Sequence, residues 1–367
     1  MADLRVGIIG VNAERGWARE SHVPSVQALA GLRLVAVANR TQEAADAAGA
    51  AFGVRGYGDP ADLIADPDID IVTVAASVPA HHDLLVAALD AGKHVVTEWP
   101  VGTSTAQTEE IAGIADRSGL HTAVGLQSRM NPAALRAVEL VASGAVGRVL
   151  SATVYSSTAG FGRAVAAGEL SLEQPATGMN LTTIQTAHTL DFAIRLAGRL
   201  TSIAALTTIQ YPELEVDDHR PPYRRIIPDH LLIHGRLAGG GALAVQVVGG
   251  RPAGDTPFRM EITGADGVLT VDGGADRGFQ AGQLRLSLDG EAVQVDQGET
   301  AALPDSVVNV ARVYAALRDD IAQSTATTPS FQDAARLSHL VDDLLTAGGT
   351  GQTISPTAPW PNPEATR

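Results

Sequence analysis

Residues 5–10 read R-V-G-I-I-G and residues 11–18 read V-N-A-E-R-G-W-A. The first stretch is an apolar run of strand length and the second opens a helix, so the pair describes a strand turning into a helix. Gly10 stands at the first turn and Gly16 where the helix begins. Those are the outer two places of a dinucleotide-binding turn, one for the tight bend and one for close helix packing, with helix amides left to hold a pyrophosphate. Asn12 stands where the middle glycine would be, and the loop is one residue longer than G-x-G-x-x-G. A plain strand-to-helix turn would also fit a lone glycine pattern. The neighbouring sequence favours the dinucleotide reading, because apolar runs at 4–10, 32–38, 69–75 and 94–98 alternate with alanine-rich helical stretches. Buried strands alternating with helices make a parallel sheet covered on both faces.

The chain has 367 residues, enough for two domains of ordinary size. Its formal charge of −15, from 26 basic and 41 acidic residues, leaves no electrostatic footprint for nucleic acid or an anionic membrane surface. With no cysteine, a disulfide framework, a thiolate metal site and a cysteine nucleophile are all excluded. No metal site is expected. Lys93 is the single lysine. The first residues run straight into a strand with no basic segment and longer apolar core of a leader, so the expected compartment is the cytoplasm. No apolar run approaches the roughly 18 residues of a membrane helix.

Asn131-Pro132 has the form of an N-cap followed by proline at the first helical position, starting a helix that stops at Gly144. Beyond it the strand pattern changes. Runs at 149–157, 200–210, 230–237, 242–248, 258–263 and 268–272 follow one another as hairpins, which predicts an open, mostly antiparallel sheet. Helices are expected at 179–197, 307–323 and 332–345. Residues 211–228 lack periodicity and carry four prolines, so they read as a long loop. Residues 348–367 form a proline-rich tail, either an arm or loose.

At the end of the second strand a site for NAD would offer an acid to the ribose diol, but here stand Asn39, Arg40 and Thr41. An amide, a guanidinium and a hydroxyl suit a 2′-phosphate better, so NADP is the expected cofactor, with NAD as the alternative. Equally, Arg40 reads as a solvated loop charge and Thr41 as a helix N-cap.

Several motifs together resemble the glucose-fructose oxidoreductase / inositol dehydrogenase / rhizopine catabolism (Gfo/Idh/MocA) family. They are G-x-N-x-x-x-G-W at 10–17, A-A-S-V-P-A-H-H-D at 75–83, A-G-K-H-V-V-T-E-W-P at 91–100 and G-L-Q-S-R at 125–129. A-H-T-L-D at 187–191, I-P-D-H-L-L at 227–232 and G-G-R-P at 249–252 extend the likeness, which leans to the branch of the galactose-regulon repressor of yeasts. The resemblance implies an α/β fold: a Rossmann domain with a doubly wound parallel sheet at 1–125, then an α+β domain at 126–347 whose open sheet commonly mediates dimerisation. It also implies that substrate lies between the domains, against the nicotinamide.

Enzymes of this family typically carry E-K-P after the fifth strand, where the lysine acts on the substrate. This chain has Glu98-Trp99-Pro100, and Lys93 sits in a helix-to-strand turn where it cannot take that role. The family's aspartate, four residues before a histidine, is Ile184 here, while the histidine survives as His188. His188 and Glu98 are therefore the candidate catalytic groups, imidazole being able to exchange a proton near neutral pH. Gly10, Asn12, Gly16, Trp17, Asn39, Arg40, Thr41, Ser77, Pro79, His82, Glu98, Trp99 and Gln127 are the candidate cofactor residues. Trp99, Arg129, Tyr155, His188, Tyr223 and His230 are the candidate substrate residues. For His188 the alternative is a buried structural histidine, and for Arg129 a structural ion pair.

Two functions follow. One is an NAD(P)-dependent oxidoreductase acting on a sugar-like or other polyhydroxylated substrate, working as a homodimer. The other is a non-catalytic dinucleotide- or sugar-sensing regulator, which the missing lysine and aspartate favour.

Overall fold

The computed structural model describes residues 3–217 and 220–358. Contacts divide the chain into two compact units, Met1–Gln127 with Gly298–Ala335, and Ser128–Gln297 with Arg336–Arg367. The expected contiguous split at 125 and 347 thus misses one feature. Residues 298–335, read above as part of the second domain, pack with the first unit.

In the first unit six strands lie in the order β3-β2-β1-β4-β5-β6, all parallel. They are β1 (Leu4–Ile9), β2 (Leu32–Ala38), β3 (Arg55–Tyr57), β4 (Ile71–Val74), β5 (His94–Thr97) and β6 (Thr122–Val124). This is the doubly wound order, whose strand sequence reverses between β1 and β4 and opens a crevice at their carboxyl ends. The central strands are largely apolar runs because both faces are covered: Val6, Ile8, Ile71, Val72, Val74 and Val95 are all fully buried. The intervening helices are α1 (Val23–Ala28), α2 (Gln42–Phe52), α3 (Pro60–Ala65), α4 (His81–Asp90) and α5 (Thr105–Ser118). Thr41, Asp59 and Ser104 cap α2, α3 and α5 with side-chain oxygens.

The helix Asp305–Gln323 joins this unit through Tyr314, whose hydroxyl lies 2.8 Å from Thr73 Oγ1 on β4. Lys93 is buried, not a surface residue, and its ammonium donates to the carbonyls of Asp66 and Ile69 at 2.7 and 2.8 Å. It precedes β5, so it lies at the opposite end of the sheet from the crevice.

In the second unit, after α6 (Pro132–Ala142), come β7 (Val149–Ser157), β8 (Ala164–Val165) and α7 (Ala187–Ala197). Asn131 caps α6 and Pro132 takes its first turn, as read from sequence. There follow β9 (Leu200–Thr208), β10 (Glu213–Val216), β11 (Tyr223–Arg224), β12 (His230–Leu237), β13 (Ala242–Val248), β14 (Pro257–Gly264), β15 (Val268–Gly274), β16 (Leu284–Leu288) and β17 (Glu291–Val293). Eight of these form an open sheet ordered β17-β16-β15-β14-β7-β13-β12-β9, antiparallel except where β7 meets β13. One face holds α7 through Thr189, and the turn before it through Gln185, both bonded to Ser156 Oγ, at 2.9 and 2.8 Å. Phe192, Phe258 and Phe279 stack into the core beneath it. The other face carries the alternate residues, with Leu206 and Leu232 paired across β9 and β12 and both exposed.

Two expectations change here. The stretch 211–228 holds β10 and β11 of a small three-stranded sheet, while residues 218–219 lie outside the described residues. It also contains Arg225, which is fully buried and donates to Glu173, to Asp229 and to the carbonyls of Phe161 and Gly162. The tail begins later than 348, because the last helix runs Phe331–Thr350. Ile354 then pairs antiparallel with Ile203 on the edge strand β9, so this part is an arm; residues 359–367 of the expected tail lie outside the described residues. Among the described residues no helix is long and apolar enough to cross a membrane.

Candidate functional site

The carboxyl ends of the parallel strands gather most of the predicted cofactor residues. Gly10 has φ +93°, and a Cβ there would sit 2.8 Å from the Ala75 carbonyl at the end of β4. Only glycine permits both the dihedral and the approach. Gly16 also needs its positive φ of +98°, but a Cβ there would meet nothing within 4 Å. Its role is the backbone turn, not the close helix packing expected from sequence. Asn12 replaces the middle glycine by shaping the loop itself: its Oδ1 accepts from the amides of Glu14 and Arg15 at 2.8 and 3.1 Å. Trp17 starts the helical turn, and its indole Nε1 is buried with no hydrogen-bond partner among the described residues.

At the end of β2, Asn39 Nδ2 donates to the Val11 and Ala44 carbonyls at 2.9 and 3.3 Å, tying the strand end to the glycine loop. Thr41 is the N-cap of α2, accepting from the Ala44 amide. Arg40 is exposed beside it. After β4, Ser77 and Pro79 are exposed on the short turn Val78–Ala80. The two histidines that follow diverge. His81 is buried between the carbonyls of Pro100 and Ala76, and burial pushes its pKa down, keeping the ring neutral. His82 pairs with Asp83 and, at 3.3 Å, with Glu110 on α5; the Asp83 bond chiefly pushes its pKa up. That spends both His82 nitrogens on an ion-paired surface cluster, which argues against the cofactor role read from sequence.

Glu98 and Trp99 follow directly on β5. Trp99 is buried, with 6% of its surface exposed. Glu98 Oε1 lies 2.7 Å from His22 Nε2, and His22 Nδ1 lies 2.8 Å from the Tyr314 hydroxyl. A Cβ on Gly125 would come within 3.0 Å of the Glu98 carboxylate, so this glycine makes room for the acid. His22 and Tyr314 escaped the sequence reading: they are 292 residues apart, and no local pattern links them. Gln127, after β6, is 3% exposed and its Oε1 has no partner among the described residues.

In the second unit His188 lies in the first turn of α7 and is 3% exposed. A turn of π-helix, Thr182–Thr186, leads into it, and the hydroxyls of Thr182 and Thr186 are buried without partners among the described residues. Arg129 takes the structural alternative. Its guanidinium grips the fully buried Asp191 of α7, Nε to Oδ2 at 2.8 Å and Nη2 to Oδ1, which argues against a substrate role.

Three further substrate candidates lie elsewhere. Tyr155 pairs with Gln246 and Arg259 on the sheet face opposite to Ser156 and α7, so the sheet separates it from His188. His230 alternates with the buried Leu231 onto that same outer face and bonds Asp229 at 3.0 Å. Tyr223 belongs to the small sheet, its hydroxyl donating to the Glu173 carbonyl. Strand alternation was the signal that would have excluded Tyr155 and His230. Cavities of about 510 Å³ beside Glu169, Glu173 and Asp217, and of about 530 Å³ beside Gln42, Arg55 and Tyr57, are lined by none of the predicted residues. Among the described residues no group of three or more His, Asp or Glu is arranged to hold a metal ion.

Residues 4–126 match the oxidoreductase family with an NAD-binding Rossmann fold, Gfo/Idh/MocA, and residues 132–273 match the C-terminal domain of Gal80p. The chain is 28% identical over 365 residues to dehydrogenase aclE of Aspergillus oryzae, covering 96% of this chain and 98% of that one. It is 27% identical over 299 residues to the galactose/lactose metabolism regulatory protein GAL80 of Saccharomyces cerevisiae, covering 76% of this chain and 68% of that one. Levoglucosan dehydrogenase in complex with NADH and levoglucosan shares the fold, with a TM-score of 0.82 at 20% identity over 97% of this chain and 100% of that one. With its glycine turn, its doubly wound sheet and its open second sheet matched in this way, the chain joins a first domain that matches the Gfo/Idh/MocA family with an NAD-binding Rossmann fold, residues 4–126, to a second that matches the C-terminal domain of Gal80p, residues 132–273.

Proposed function

We propose that this protein is a nicotinamide-dinucleotide-dependent oxidoreductase acting on a sugar-like or other polyhydroxylated small molecule. The observation that carries the reading is the glycine turn: Gly10 is held against the end of β4 where a side chain would collide, which keeps the loop tight enough for a pyrophosphate to approach its backbone. The rim fits a dinucleotide in a second respect, because Trp17 Nε1 and Gln127 Oε1 are buried polar atoms without partners among the described residues, a donor and an acceptor that a bound molecule would satisfy. Gly10, Asn12, Gly16 and Trp17 would hold the pyrophosphate end; Glu98, Trp99 and Gln127 line the strand ends beyond it. When bound, the dinucleotide supplies a hydride donor or acceptor at the nicotinamide.

The rest of the chemistry falls to this chain. With tryptophan where the family's lysine stands, and Lys93 committed to two carbonyls, His188 is the group that exchanges the proton of the substrate oxygen. Indole has no proton to give at neutral pH. Replacing His188→Asn keeps a polar side chain and removes the titratable ring. Turnover is expected to fall by about 10² or more with cofactor affinity unchanged, as read by steady-state kinetics beside a binding titration. Unaltered turnover would move the chemistry away from His188.

NADP(H) is the preferred cofactor in this reading, because Asn39, the exposed Arg40 and Thr41 stand at the end of β2 where an acid would claim a ribose diol. One guanidinium–phosphate pair amounts to about a tenfold to hundredfold preference. Calorimetric titration of NADPH and NADH measures it; equal affinities would refute it.

The protein works as a homodimer. Its open sheet leaves Leu206 and Leu232 exposed among the small residues Ala204 and Ala244, a flat surface suited to a second sheet. Sedimentation at micromolar concentration is expected to give twice the chain mass of 37.8 kDa, and a monomer would contradict this. A second reading, a dinucleotide- or sugar-sensing regulator, draws support from the missing lysine and aspartate and from the likeness to GAL80.

A further inference from the structure

Four side chains inside the first unit form a single file. Thr73 Oγ1 lies 2.8 Å from the Tyr314 hydroxyl, Tyr314 lies 2.8 Å from His22 Nδ1, and His22 Nε2 lies 2.7 Å from Glu98 Oε1. Thr73 and Tyr314 are fully buried, His22 is 1% exposed, and only the Glu98 carboxylate, 22% exposed, reaches the strand-end rim. The buried environment fixes the direction of the file. Burial pushes the Tyr314 phenol far above its usual range, so it keeps its proton. Thr73 has no other side-chain hydrogen-bond partner among the described residues. If Tyr314 donated to Thr73, the Thr73 proton would be stranded in the core at full desolvation cost. Thr73 must therefore donate to Tyr314, Tyr314 to His22 Nδ1, and the neutral imidazole from Nε2 to Glu98. Every proton points toward the carboxylate.

We infer that Thr73, Tyr314 and His22 are positioning residues that hold Glu98 in one rotamer as a hydrogen-bond acceptor, its Oε2 turned to the ribose hydroxyls at the nicotinamide end of the bound dinucleotide. Oε2 carries no hydrogen bond among the described residues, and Gly125 removes the Cβ that would crowd it. A carboxylate held by a donor on one oxygen is the better acceptor on the other, since no side-chain entropy is left to lose when the ligand arrives. His22 also lies on the helical turn that follows the glycine loop, so the same ring ties the pyrophosphate end of the site to the ribose end. The titratable groups facing His22 are Glu98 from β5 and Tyr314 from the helix Asp305–Gln323; His81 at the start of α4 senses Glu98. This inference rests on the dinucleotide-binding part of the function proposed above and not on turnover.

The test is a double-mutant cycle read by fluorescence titration of NADPH and NADH without substrate. His22→Leu is expected to weaken the dinucleotide about ten- to hundredfold, the size of one lost bond that fixes a charged group. His22→Gln, whose amide can still donate to Glu98, is expected to retain most of the affinity. In a Glu98→Ala background, which has no acceptor for His22, the His22→Leu loss is expected to vanish, because His22 acts only through that carboxylate. Thermal melts of each variant separate this from damage to the fold, which would lower affinity equally in both backgrounds. An equal loss in both backgrounds, or none in either, overturns the inference. A ligand-free measurement stands beside it: histidine-selective 15N NMR is expected to find the His22 ring proton on Nε2 with Nδ1 as the acceptor, and Tyr314→Phe to perturb Nδ1. A ring protonated on both nitrogens overturns the one-way file even where no dinucleotide binds, whereas a parent that binds dinucleotide and turns nothing over leaves this inference standing and removes only the oxidoreductase reading.

Discussion

Replacing Arg225 with methionine is expected to lower the unfolding free energy by about 3–5 kcal/mol, the range for removing one partner from a buried ion cluster. Arg225 is fully buried and joins Glu173 and Asp229, which are equally buried, while donating to two backbone carbonyls. Methionine of similar length fills the space but leaves two carboxylates facing each other and two carbonyls without donors. The deficit is also expected to depend on pH. Burial works against ionisation of Asp229, but bonds from the amides of Gln210 and Tyr211, from His230 and from Arg225 outweigh it and hold the carboxyl below its usual value. In the parent, Asp229 therefore contributes stability that is present above about pH 4 and lost as the pH falls through its lowered value. Without Arg225 that support weakens, so the difference between the proteins is largest near pH 7 and shrinks on acidification. Denaturant melts at the two pH values measure it, and a difference below about 1 kcal/mol at neutral pH would mean that the cluster holds without its cation.

Gly10→Ala is expected to abolish tight dinucleotide binding. The added Cβ must adopt φ +93° and would meet the Ala75 carbonyl and the Ala76 amide at 2.8 Å, both of them backbone atoms that cannot rotate aside. The dihedral alone costs about 1–3 kcal/mol, and relief of the clash requires the end of β1 to move off β4. Displacing the loop amides by about 1 Å is enough to lose roughly a hundredfold in a positioned site. Calorimetry on the variant, with a thermal melt to confirm that it folds, measures the effect; parental affinity would contradict the role assigned to this turn.

Much of the fold was legible because its signals are local. The longer strand runs of the first unit are mostly apolar, and the hairpin run of the second alternates buried with exposed residues. Asn131-Pro132 and Thr41 are caps whose chemistry is complete within four residues. The parts that were not legible depend on distant partners. Nothing near Tyr314 announces that it meets His22 and Thr73, and nothing near residue 298 announces that the chain returns to the first sheet. Arg225 sits in a proline-bearing stretch that reads as solvated, and only the fold brings Glu173 to it. A structural ion pair was one of the two readings of Arg129, but its partner was not legible, since Asp191 lies 62 residues away. Tyr155 and His230 went wrong for a different reason: their strands were read correctly, but the face each residue occupies follows from its buried neighbours, Ser156 and Leu231.

The central claim, that this chain transfers hydride and does not merely bind a dinucleotide, is tested most directly by absorbance at the reduced-nicotinamide band while a panel of sugars, sugar acids and polyols is offered with NADP⁺, and the matching ketones with NADPH. Steady turnover with at least one of them, lost in His188→Asn, is the predicted result. Saturable dinucleotide binding with no change in absorbance across the whole panel would contradict it and leave the sensing regulator.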